Sequence, residues 1–278
     1  MRWSPGDRSS NLEDRRGISV GRGLGVGGVV VALILSLVFG RDFLGPASES
    51  SSGDVTTSGS APVVASPEEE HLVDFVSFVL DTVQVTWAQV LPRDGIQYRP
   101  AKLVVFRDAA QSACGFAEAA TGPFYCPSDE RVYVDLGFFQ DLKNRFGAPG
   151  DFAEAYVLAH EIGHHVQKLS GIEASARNAM QRDPGNANQY SVQLELQADC
   201  LAGVWGRYAA QEGILEPGDV EEGIAAAAAV GDDRLQRMST GYVRPESFTH
   251  GTSAQRVAWF KRGLTTGRVR DCDTFGSR

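Results

Sequence analysis

Residues 151–167 read DFAEAYVLAHEIGHHVQ. This is a good helix-forming run, and Val157, Leu158, Ile162 and Val166 give it the apolar flank of a buried helix, expected over about 151–169. Residues four apart in a helix stand one turn apart on the same side, so His160 and His164 can offer both imidazoles to one ion. Glu161 lies beside that pair, where it can take a proton from water at the ion. His165 points about 100° away around the helix and reads as structural or surface. His71, in the first helix of the folded region, reads as solvated.

Zinc usually takes a third protein ligand and keeps a fourth position for water. Glu195 and Asp199 are spaced as the two histidines are, on a second expected helix over about 190–212. An isolated acid on a helix is ordinarily a solvated one. Here the apolar neighbours Val192, Leu194, Leu196 and Leu201 and the pairing with Asp199 favour Glu195 as the third ligand. Asp199, one turn on, would accept the free N–H of a ligand histidine. A second donor for a developing oxyanion is useful at such a site. His250, in a Gly-Thr-Ser-rich turn, is one candidate and Tyr242 is its rival. A capping or structural role for His250 stays open.

Working outward, Lys102–Phe106 and Arg131–Asp135 read as short strands, and helices are expected over about 219–237 and 253–263. The fold class is therefore α+β, mostly helical, with a small β-sheet of two or three strands. Residues 23–40, GLGVGGVVVALILSLVFG, hold 18 residues without a charge and suit one transmembrane helix. A cleaved signal peptide is the rival reading, disfavoured by the long stretch before the apolar run. The expected organisation is a cytoplasmic segment over 1–22, the span over 23–40, a Ser/Gly/Pro linker over 41–66 and one domain over 67–278. Ser66 with Pro67 and Glu68–Glu70 reads as the start of that domain's first helix.

The net charge is −9, and residues 1–41 are the basic part, with six Arg against three acids. No Lys/Arg cluster follows, which argues against nucleic acid as a partner. An exported domain sits in an oxidising compartment. Cys114 and Cys126 bracket a short loop and suit a local disulfide, and Cys200 with Cys272 would tie the Glu195 helix to the C-terminal tail. Four reduced thiols are the alternative.

The segments Tyr125-Cys126-Pro127, Val132 to Leu136, His160 to Gln167, Leu194 to Trp205 and Phe248 to Ser253 resemble the bacterial "putative neutral zinc metallopeptidase" family, and the Glu195-x-x-x-Asp199 helix looks like that of gluzincins. The resemblance covers about residues 67–275. It implies a Zn2+ peptidase acting on a peptide or protein, commonly with an N-terminal membrane segment, here residues 23–40 at the cell membrane with the domain outside. It names no substrate and no oligomeric state. An inactive zinc-bearing domain that binds a cell-envelope partner, and an amidase acting on cell-wall peptides, are the rival functions.

Overall fold

The computed structural model describes residues 1–17, 65–118 and 122–276. In chain order the strands are β1 (Leu12–Asp14), β2 (Lys102–Phe106), β3 (Ala109–Ser112), β4 (Gly115–Glu118), β5 (Phe124–Cys126) and β6 (Arg131–Asp135). The helices are α1 (Pro67–Val90), α2 (Gly137–Asn144), α3 (Asp151–Leu169), α4 (Ile172–Arg182), α5 (Ala187–Gln211), α6 (Asp219–Ala229), α7 (Asp232–Thr240) and α8 (Ser253–Thr266).

Local chemistry starts α1 where the sequence directs. The Ser66 side chain accepts from the Glu69 N–H, Pro67 occupies the first turn, and three acids face the positive helix end. β2 and β6 are nearly fully buried and pair in parallel, β1 adds to β2 in parallel, and β5 adds to β6 antiparallel, giving the order β1-β2-β6-β5. β5 is thus an edge. β3 and β4 form a separate hairpin, stapled to β5 by the Cys114–Cys126 disulfide. Cys200–Cys272 joins α5 to the C-terminal turn. The helical core centres on Trp205, which stacks on Phe152 at 5.6 Å, and on Tyr156, which meets Phe260 edge-on at 5.2 Å.

Two glycines decide how close α5 and α8 come. A Cβ at Gly203 would lie 2.1 Å from the Phe260 carbonyl oxygen, and one at Gly263 would lie 1.9 Å from the Cys200 carbonyl oxygen. Backbone meets backbone there, and no side chain fits.

The expected helix over 219–237 is broken into α6 and α7 at Gly231, where a Cβ would lie 2.3 Å from the Ser253 nitrogen. The break puts Asp232 and Asp233 at the start of α7, where Asp232 binds the loop before α8 and Asp233 the first residue of α8. The sheet carries four strands rather than two or three, because β1 and β5 are too short to show in the sequence pattern.

The largest correction concerns the N-terminus. Residues 1–16 are an arm of the folded body. Leu12, Glu13 and Asp14 pair with Leu103, Val104 and Val105. Arg8 binds Glu70 and Asp74, Arg16 binds Asp14 and Glu70, and Trp3 packs on Phe75. The Met1 ammonium sits among Asp151 and Asp219. Paired strands lie about 4.8 Å apart, whereas a bilayer's hydrocarbon core is about 30 Å thick. One crossing between β1 and β2 is therefore incompatible with this ladder, and the expected single-pass arrangement, with the N-terminus in the cytoplasm and the domain outside, is overturned. The expected span over 23–40 lies outside the described residues. Among the described residues no helix is long and apolar enough to cross a membrane, and the fold class of these residues is corrected to a mixed α/β body in which no helix spans a membrane.

Gly263→Ala should destabilise the protein by about 1–3 kcal/mol through overpacking, measured by urea denaturation. Gly6, with nothing within 4 Å of an added Cβ, is the control. Equal stability of the two alanine variants would refute the close-packing account.

Candidate metal centre

Helix α3 carries His160, Glu161 and His164, and α5 crosses it carrying Glu195 and Asp199. Gly163, between the two histidines, sets the crossing distance: a Cβ there would lie 3.1–3.3 Å from the backbone and side chain of Ala198. At that approach the Glu195 carboxylate bridges the histidines. Its Oε2 lies 3.2 Å from His160 Nε2 and its Oε1 lies 3.4 Å from His164 Nε2. The three groups can each offer one ligand atom, all within 4.8 Å of one another.

The other imidazole nitrogens are held from behind. His160 Nδ1 donates to Asp199 Oδ1 at 2.9 Å and His164 Nδ1 to Gln167 Oε1 at 2.8 Å. Both Nε2 atoms then face Glu195, and in the neutral rings they carry the lone pairs that a metal ion would take. Two imidazoles and a carboxylate are a zinc donor set, and four-coordinate zinc with ligand bonds of about 2.0–2.1 Å separates neighbouring ligand atoms by about 3.3 Å. The 3.2 and 3.4 Å contacts run to the two oxygens of one carboxylate, and one ligand atom from each of the three residues lies within 4.8 Å of the others, close enough to converge on one ion.

Asp199 has no solvent exposure. Its oxygens accept from His160, from the Tyr156 hydroxyl, and from Arg256 at 2.8 Å (Nε to Oδ2) and 2.9 Å (Nη2 to Oδ1). Arg256 comes from α8 and is itself 3% exposed. Burial works to raise the Asp199 pKa, but Arg256 and His160 hold it below the usual carboxylate range. Burial likewise works against a charged His160, yet Asp199 and Glu195 push its pKa up to about 10, with Arg256 opposing. For His164, Glu195 outweighs burial in the same sense. Glu195 is held well below its ordinary value, because His164 and His250 outweigh burial.

Glu161 is 7% exposed. Burial raises its pKa, the two histidines oppose that, and the backbone N–H of Tyr125 on edge strand β5 donates to it. Its carboxyl is thus fixed between the histidine pair and the sheet edge. His165 is fully buried and faces away: its Nε2 donates to the Arg99 carbonyl at 2.6 Å and its Nδ1 accepts from the Tyr125 hydroxyl at 2.8 Å.

His250 stands at the rim, half-exposed, on the loop before α8. Asp232 organises that loop: its Oδ2 accepts from the backbone N–H of Thr249 (2.8 Å), His250 (2.6 Å) and Gly251 (3.0 Å). Its Oδ1 lies 3.2 Å from His250 Nδ1. Gly251 lets the loop sit down on α5 beside Glu195, since a Cβ there would touch Val192 and Leu196 at 3.2 and 3.3 Å. Tyr242, the sequence rival of His250, is 78% exposed.

The chain belongs to the family described as "Putative neutral zinc metallopeptidase", whose family model matches residues 1–275. It is 44% identical to the protein YpfJ of Escherichia coli (strain K12), described as uncharacterized, over 288 residues that span 99% of each chain. It is also 44% identical over 208 residues to Mb2605 of Mycobacterium bovis and Rv2575 of Mycobacterium tuberculosis, both likewise described as uncharacterized, covering 71% of this chain and 68% of those proteins. No solved structure matches it. The match of the family to residues 1–275 agrees with the N-terminal arm being part of the body.

Sequence reading missed Arg256, Tyr156, Gln167 and Asp232. Tyr156 lies four residues before His160 and Gln167 three after His164, so both share a helix side with a histidine and were in principle legible. Arg256 and Asp232 reach the site only through tertiary packing and leave no local signal.

Arg256→Ala strands the buried Asp199 charge and should cost about 3–5 kcal/mol of stability, read by urea denaturation. A loss below about 1 kcal/mol, the worth of an exposed pair, would show that Arg256 is not what stabilises that carboxylate.

Proposed function

We propose that the chain is a zinc-dependent peptidase in which His160, His164 and Glu195 hold the ion and Glu161 is the general base. The observation that carries this reading is the convergence of both Nε2 atoms on one carboxylate at 3.2 and 3.4 Å, with both Nδ1 atoms engaged from behind. A zinc ion, when bound, supplies Lewis acidity that activates water near neutral pH and polarises a carbonyl. Glu161 takes the proton of the attacking water on its carboxylate and hands it to the nitrogen of the departing amine. Its buried carboxyl, with a pKa raised by desolvation, suits a group that must both accept and return a proton.

His250 is the donor for the carbonyl oxygen as charge builds there. Asp232 holds its Nδ1, which leaves Nε2 for the substrate. Asp199 fixes the His160 ring and Arg256 fixes Asp199. A peptide substrate is supported by β5: it is an edge strand whose Tyr125 lies beside Glu161, and an edge of this kind accepts an extended chain.

The test is a peptide-library digest by the purified protein with and without a chelator, with zinc measured on the same samples. His160→Ala and His164→Ala should lose the metal. Glu161→Gln should keep it and lose about 10²–10⁴-fold in rate, the worth of general acid–base catalysis. Hydrolysis by zinc-loaded Glu161→Gln at the parent rate would sink the mechanism. Zinc-loaded parent protein that cuts nothing in the library would sink the peptidase reading.

A further inference from the structure

Behind His164 runs a chain of two buried side-chain amides. His164 Nδ1 meets Gln167 Oε1 at 2.8 Å. Gln167 Nε2 donates to the Leu194 carbonyl at 2.7 Å and to Gln197 Oε1 at 3.1 Å. Gln197 Nε2 donates to the Cys272 carbonyl at 2.9 Å. Gln167, Gln197 and Cys272 are 0, 5 and 1% exposed.

A backbone carbonyl can only accept. The Leu194 and Cys272 carbonyls therefore decide which end of each amide is nitrogen. With Gln167 Nε2 committed to Leu194, its oxygen faces His164, so Nδ1 of that ring carries the proton and Nε2 carries the lone pair. Two main-chain groups thus set the tautomer of a side chain on another helix. Both have a further connection to the site. The Leu194 carbonyl belongs to the peptide unit that leads into Glu195. Cys272 is bonded to Cys200, the residue after Asp199.

We propose that Gln167 and Gln197 are positioning residues of the metal centre, and that the Cys200–Cys272 disulfide acts through them by holding the Cys272 carbonyl at the far end of the relay. The inference rests on His160, His164 and Glu195 being the zinc ligands. Histidine orientation at this site then depends on a covalent link between α5 and the C-terminal turn.

The experiment measures zinc affinity by competition with a chromogenic chelator, alongside thermal unfolding of the metal-free protein. Gln167→Leu should weaken zinc about 10–100-fold, the usual effect of losing the group that orients a ligand. Gln167→Glu keeps an acceptor for Nδ1 and should stay near the parent affinity, yet its carboxylate faces two acceptors, so its metal-free form should unfold at a lower temperature. A purely structural role would lower affinity and unfolding temperature together in both variants. Gln197→Met should weaken zinc about tenfold. Replacing Cys200 and Cys272 by Ala should weaken zinc in the parent and add nothing in the Gln197→Met background, the signature of one coupled path. Fully additive losses, or parent-like affinity in Gln167→Leu, would overturn the relay. An arm without metal separates this inference from the zinc reading: long-range 1H–15N spectra of metal-free protein with neutral imidazoles should show His164 protonated at Nδ1. An Nε2–H tautomer overturns the relay even if zinc binds, whereas an Nδ1–H tautomer in a parent that takes up no zinc overturns the peptidase reading and leaves the relay standing.

Discussion

The Asp199 carboxylate is a full charge with no exposure to water, and such a group survives only where its partners are assembled with it. Its partners come from two other helices, Tyr156 and His160 from α3 and Arg256 from α8, so with Asp199 on α5 the group ties three helices together. None of the three can shift without stranding a charge. The close crossings follow from the same demand. Gly163 brings α5 onto α3, and Gly203 with Gly263 brings α8 onto α5. Small residues at the crossings and large charges at the centre are thus two sides of one arrangement.

Around that centre the two histidines are treated differently. His160 is backed by a carboxylate that is itself neutralised by Arg256, whereas His164 is backed by a neutral amide. A carboxylate behind an imidazole raises its basicity more than an amide does. Asp199 and Arg256 together therefore deliver orientation with little net charge. The anionic character facing a cation comes chiefly from Glu195. Glu161 and His250 flank the cluster from opposite elements, the first against the sheet edge and the second on a loop shaped by Asp232.

How much of this was legible follows from the range of each interaction. The helix over 151–169 and the His160/His164 pair were readable because four-residue spacing is local. Glu195 was readable because Asp199 repeats that spacing and the neighbours are apolar. Arg256 was not, because nothing near it in sequence signals a buried guanidinium. The break at Gly231 was hidden because the clash that requires it involves Ser253, more than twenty residues away. The arm misled most. Leu12-Glu13-Asp14 has no alternation of apolar residues to mark a strand, and Arg8 and Arg16 counted only among the six Arg of a basic N-terminal stretch. Their charges are answered by Glu70 and Asp74 on α1, residues far off in the chain.

Those ion pairs also hold two distant points of the chain together at the start of α1. Arg16 touches Glu70 at 2.8 Å, and the Glu70 N–H bonds to the Ser66 carbonyl, so residues 17 and 65 adjoin the same first turn of α1. For a loop closed between two fixed points, the entropic penalty grows only with the logarithm of its length, about 0.6 kcal/mol per doubling. A change in chain length between two points held in this way would therefore carry a correspondingly small penalty. Neither the register of β1 nor the spacing of the histidines would feel the change.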